Sequence, residues 1–142
     1  MRFSAAKGRQ VVSTSTAGTV GRVDDFVVDP VSRSVLAVIV RKAQHGDTLR
    51  WSNLTAFGAD AVTVDDASRI TEATQDVKAL TGKHHHVLGK RVLSTGGDEL
   101  GTVADVEFDP GSGSVTALVL ASGEVAGSRL VGVGSYAVVV SA

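Results

Sequence analysis

Residues 21–40 read GRVDDFVVDPVSRSVLAVIV, and residues 101–120 read GTVADVEFDPGSGSVTALVL. Laid together without a gap, nine of the twenty positions are identical: Gly21/Gly101, Val23/Val103, Asp25/Asp105, Asp29/Asp109, Pro30/Pro110, Ser32/Ser112, Ser34/Ser114, Val35/Val115 and Ala37/Ala117. Most other apolar positions exchange Val, Ile, Leu and Phe. The chain states one unit twice.

Within the unit, Phe26 and Val28 share one strand face, as do Val106 and Phe108. Asp25 and Asp29, like Asp105 and Asp109, share the other. A period of two describes a half-buried antiparallel strand. Val23 falls on the parity of the aspartates, so a bulge is expected before Asp25. Asp29-Pro30 and Asp109-Pro110 are turn chemistry: the carboxylate accepts a backbone N–H, and proline presets φ. Gly21, Asp29, Pro30, Gly101, Asp109 and Pro110 are therefore read as structural turn residues.

Val35 to Val40 follows, apolar at every position, and Val115 to Ala121 is nearly so. A strand without a polar face is covered on both sides. The expected cover is the other copy or another subunit, which makes Val35, Ala37, Ile39, Val115, Ala117 and Val119 candidate interface residues. Arg50, Trp51 and the loop Gln44–Asp47 are candidate partner contacts.

Strands also fit Arg9–Thr14 and Leu49–Phe57. Ala61–Val64 closes the first copy, and Ala137–Val140 closes the second. Between these landmarks the second copy is four residues shorter. The joint offers Ile70, Ala73, Val77 and Leu80 at helical spacing, predicting an amphipathic helix over Arg69–Leu80 with Ser68 as its cap. The reading is all-β with small α content: two tandem small antiparallel barrels, residues 1–66 and 88–142, joined by a short helical linker, residues 67–87.

The chain has 142 residues, 43% hydrophobic, with 16 glycines and few aromatics, a balance that suits many short strands. Net charge is -1, so no basic footprint for nucleic acid is present. Residues 1–70 carry nine Lys/Arg against seven Asp/Glu, and residues 71–142 carry five against eight. That mild asymmetry fits scatter among surface charges, with docking of one copy on the other as the alternative reading. No cysteine is present, which excludes disulfides, thiolate nucleophiles and cysteine metal sites. With no apolar run of signal or membrane-span length, the expected location is the cytoplasm.

His84, His85 and His86 are the weak candidates for a metal site. Adjacent residues on an extended chain point opposite ways, and no spaced carboxylate or cysteine set completes a site. The recurring aspartates lack the pattern of a glycosidase pair or a calcium loop. No nucleophile elbow or phosphate-cradling glycine loop is present. The expectation is a non-enzyme without a cofactor.

The stretch from Gly18 through Asp29-Pro30, the apolar strand after it and Leu49-Arg50-Trp51-Ser52 resemble the PRC-barrel family. Leu88 through Asp109-Pro110 to Val140 resembles the same pattern. The resemblance implies small, strongly bent β-barrels used as adaptors. The family includes the cytoplasmic domain of the photosynthetic reaction-centre H subunit, half of a ribosome maturation factor, and stand-alone bacterial and archaeal proteins. The leading expectation is a non-catalytic protein-interaction or assembly module, with self-association as a dimer or internal pairing of the barrels. A small-ligand or metal-binding regulator and an RNA-processing accessory are the alternatives.

Overall fold

The computed structural model describes residues 1–80 and 86–142. Twelve strands form two six-stranded sheets that repeat one strand order. In the first half β1 is Gln10–Ser13, β2 Thr19–Asp29, β3 Ser34–Arg41, β4 Thr48–Arg50, β5 Ala56–Phe57 and β6 Ala61–Val64. In the second, β7 is Arg91–Ser94, β8 Glu99–Phe108, β9 Val115–Leu120, β10 Gly123–Ala126, β11 Leu130–Val133 and β12 Val138–Val140. The orders are β4-β3-β2-β1-β6-β5 and β10-β9-β8-β7-β12-β11.

One feature departs from the purely antiparallel expectation. The first and last long strands of each half run parallel, β1 with β6 and β7 with β12. Alternation within a strand reports its faces and not the direction of its neighbour, so the sequence is silent on this pairing.

Register slips once in β2 between Val23 and Asp25 and again between Val27 and Val28; β8 slips between Val103 and Asp105 and between Glu107 and Phe108. Each slip adds local bend. The bends curl each sheet and let Val23, Phe26 and Val28 all reach the core, as Val103, Val106 and Phe108 do.

One core runs through both halves. All four phenylalanines meet in it: Phe3 stacks on Phe26 at 4.1 Å between ring centroids, and Phe108 lies 5.3–5.5 Å from Phe3, Phe26 and Phe57. Such pairs contribute about 0.5–1.5 kcal/mol each beyond their buried area. The halves therefore share their largest side chains instead of closing separately.

The joint differs from a continuous helix over Arg69–Leu80. Residues Ala67–Arg69 form a 3-10 turn, capped by the Asp66 carboxylate, which accepts from the Ser68 amide. The chain is then extended, and Thr71 pairs with Thr48 through two 2.9 Å backbone hydrogen bonds. Within Arg69–Leu80 the α-helical part is Gln75–Ala79; we label it α2, α1 being Phe3–Ala6. The vacant edge of β4 and the β-branched Ile70 and Thr71 outcompete helical propensity here.

Candidate functional site

The halves meet at their Asp-Pro turns. Ser34 and Ser114, equivalent in the repeat, bridge each other antiparallel. The Val35 amide donates to the Gly113 carbonyl at 2.8 Å, and the Val115 amide donates to the Arg33 carbonyl at 2.9 Å. Each bond maps onto the other when the copies are exchanged, so a pseudo-two-fold axis passes between the two serines. In each turn the aspartate does what its side chain permits: Asp29 accepts from the Val31 amide at 2.9 Å, and Asp109 from the Gly111 amide at 2.7 Å.

The seam departs from symmetry in one place. Trp51 stacks on Phe57 and lies against Gly113, where a Cβ would stand 2.8 Å from its ring. The equivalents of Trp51 and Gly113 are Gly127 and Arg33. A Cβ on Gly127 would meet the Val115 carbonyl oxygen at 1.9 Å, and the Arg33 guanidinium donates to the Leu130 carbonyl at 2.8 Å. A tryptophan ring fills the space at Gly113, whereas the backbone of β9 fills it at Gly127, so the two sides of the axis pack differently. Trp51 is thus part of the seam.

The outer face of β3 is covered from within the chain. Val27 and Ala37 pack under Val77 of α2, with Leu36, Ile39, Ala73 and Leu80 around them. Arg50 fastens this cover by a 2.9 Å ion pair to Asp76 and a hydrogen bond to Thr74. Bonds from Thr74 and then Arg50 hold the Asp76 carboxyl below its ordinary value. On β8 and β9 the equivalents of Val27 and Leu36 are Glu107 and Thr116, and no helix of the described residues lies over them. Ala117 is buried and Val119 half-buried there. The second copy is polar where its outer face is wet.

The segments ahead of the two copies cross over. Arg2 bridges Glu107, the Phe108 amide donates to the Met1 carbonyl at 2.8 Å, and Ser4 donates to Asp105 through both its amide and its hydroxyl. Burial works to raise the Asp105 carboxyl. Bonds from the Ser4 hydroxyl and the Val106 and Ser4 amides, with the charge of Arg2, outweigh it and hold the group below its ordinary value. On the other copy, His86 Nδ1 lies 3.2 Å from Asp25 Oδ2, the equivalent of Asp105. The His84 and His85 candidates lie outside the described residues. Among the described residues no group of three or more His, Asp or Glu is placed to hold a metal ion.

An apolar hollow is open on the second half. Leu93, Val133, Tyr136, Ala137 and Val139 line a shallow hollow of about 410 Å³ on the outer side of β7, β12 and β11. Tyr136 is 65% exposed, yet it is held: the Arg91 guanidinium sits 4.7 Å from its ring centroid and donates to its hydroxyl at 3.0 Å. Register makes Thr63 the counterpart of Val139, and the closing turns make Asp60 the counterpart of Tyr136. The first half is polar at both.

Residues 82–141 match the family model of the PRC-barrel domain. The second half is a PRC-barrel domain. Its six-stranded sheet, bulged long strand and closing parallel pair are the features of this PRC-barrel, and the first half shares each of them. No curated protein matches the chain. The open apolar face therefore belongs to the half with the family match. Sequence reading missed Val139 and Tyr136 as surface features, although setting AVTV beside AVVV shows the exchange. No helix of the described residues is long and apolar enough to cross a membrane.

Proposed function

We propose that this protein is a non-catalytic interaction module of the cytoplasm, built of two tandem PRC-barrels, that docks another protein surface on the apolar face around Tyr136 and Val139. One observation carries the reading: the face is apolar and open in the second half and polar in the first. A hollow with apolar walls and a half-polar aromatic at its rim offers a pocket for a partner's side chain. Within the chain α2 covers the outer face of β3, and the matching face of the second copy carries Glu107 and Thr116, so association is assigned to this other face. The rigid, half-polar Tyr136 is the type of side chain that anchors interfaces.

The test transplants the first half's own residues. Tyr136→Asp and Val139→Thr place at each position what the equivalent fold already accepts, so folding is retained. Sedimentation of the wild type and the double variant, with co-purification from the native cell, reads the outcome. A wild-type dimer that the variant dissolves identifies self-association. A monomer whose partner is lost in the variant identifies a different protein. If neither oligomeric state nor co-purifying protein changes, the reading fails.

A further inference from the structure

The edge strands β4 and β10 occupy the same place in the two sheets. Thr48 faces Ile39 in β3, and Glu124 faces Val119 in β9, the equivalent residue. In an antiparallel ladder the N–H and C=O of one residue point the same way. At Thr48 both point off the sheet, and Thr71 takes both. At Glu124 the register is the same, and neither group has a backbone partner among the described residues. The residues beneath show the missing cover. Ala37, Val40 and Leu49 are 0–1% exposed, while Ala117, Leu120 and Val125 are 6–7% exposed.

The covered edge also shows what chemistry fits. Its occupant is an extended β-branched segment, Ile70-Thr71, whose continuation places Asp76 on Arg50. Around the open edge the charges are reversed. Glu124 stands in place of Thr48, Ala126 in place of Arg50, and Glu107 in place of Val27. Asp105 adds a third carboxylate, and the Arg2 guanidinium lies 3.8 Å from Glu124. We infer that the β10 edge accepts an extended segment of a partner protein, with an apolar β-branched residue followed by threonine or valine and lysine or arginine on its flanks. The segment pairs antiparallel with Glu124, as Thr71 does with Thr48. A second copy is a poor occupant. Pairing β10 with β10 sets the two Glu124 carboxylates opposite or diagonal to each other, and a charged edge keeps copies apart.

This inference rests on the reading that the protein binds other proteins, at a site separate from the Tyr136 face. The experiment is an amide NMR titration of the labelled full chain with the blocked peptide KITVK, beside its acidic counterpart EITVE. KITVK is expected to shift the Glu124 and Ala126 amides saturably at millimolar concentration and to slow hydrogen exchange at Glu124. EITVE binds weaker by about fivefold, the worth of one or two exposed ion pairs. Glu124→Pro removes the outward N–H without touching the β9 ladder and abolishes the shift. Glu124→Lys reverses the peptide preference, and it carries the test if the proline variant disturbs amides beyond β9 and β10. The inference is overturned if the Glu124 amide does not move, if Glu124→Pro binds as well as wild type, or if both peptides bind alike. Dimerisation through β10 without peptide also overturns it. Shifts gathered at Tyr136 and Val139 instead overturn the edge site and leave the interaction reading standing.

Discussion

Replacing Gly113 by alanine probes the seam between the halves at its tightest point. Gly113 has φ +80°, a conformation that costs an L-residue about 1–2 kcal/mol. The new Cβ would also stand 2.8 Å from Trp51 Cε2 and 3.0 Å from Cδ2. Trp51 has little room to retreat, because it stacks on Phe57 at 5.7 Å and meets Phe108 edge-on. Overpacking of that kind costs about 1–3 kcal/mol, so the total expected is about 2–5 kcal/mol. Gly97 supplies the control: its φ is +89°, and a Cβ there meets nothing within 4 Å. Gly97→Ala therefore carries the backbone cost of about 1–2 kcal/mol alone. Urea unfolding, followed by the fluorescence of the single tryptophan and by circular dichroism, measures both. In a Trp51→Ala background, followed by circular dichroism, the packing part of the Gly113→Ala cost vanishes and the backbone part stays. If Gly113→Ala costs the same as Gly97→Ala, or if its cost ignores Trp51, the account of Trp51 packed against Gly113 at the seam is wrong.

Other outcomes follow from the cover and the crossover. Val77→Ala removes two buried methyl groups and is expected to cost about 2 kcal/mol, with faster amide exchange at Val27 and Ala37; unchanged exchange would separate α2 from that face. Arg50→Ala breaks a half-exposed ion pair and should cost under about 1 kcal/mol, fading with added salt. Asp105 is held below its ordinary value, so its folded-state bonds contribute stability in full above the unfolded carboxylate range and lose it as pH falls through the folded value. Ser4→Ala removes the largest of the bonds that lower it. The stability gap between wild type and variant should be widest near neutral pH and shrink as pH falls below the ordinary carboxylate range; a gap constant with pH would refute this role.

The repeat was legible because turn and core positions carry the same residues in both copies: Asp29-Pro30 and Asp109-Pro110 close the same turn. The bulge before Asp25 was legible in the parity of Val23. The parallel pairing of β1 with β6 was not, because no side-chain pattern encodes a neighbour's direction. The cover over β3 was misread for a related reason. Ile70, Ala73, Val77 and Leu80 do all turn inward, but Ile70 does so from an extended segment and Val77 from a helix. Helical spacing alone cannot report that an open strand edge will capture part of the segment. Arg50 and Trp51 are partner-contact candidates in the sequence, and in the fold both also have neighbours within the chain. Their neighbours, Gly113 across the seam and Asp76 in the joint, lie far off in sequence. The apolar face at Tyr136 required comparing one copy with the other and not scanning either alone.

The crossing of the leading segments bears on how the chain is made. Met1 is paired with Phe108, 107 residues away, and Phe3 lies in the ring cluster that Phe108 completes. A ribosome releases the first half long before that phenylalanine appears. Until then Phe3, Phe26 and Phe57 lack their central neighbour. Contacts of such long sequence separation form slowly. The nascent first half is the stage at which this protein is most exposed to aggregation or to capture by a chaperone.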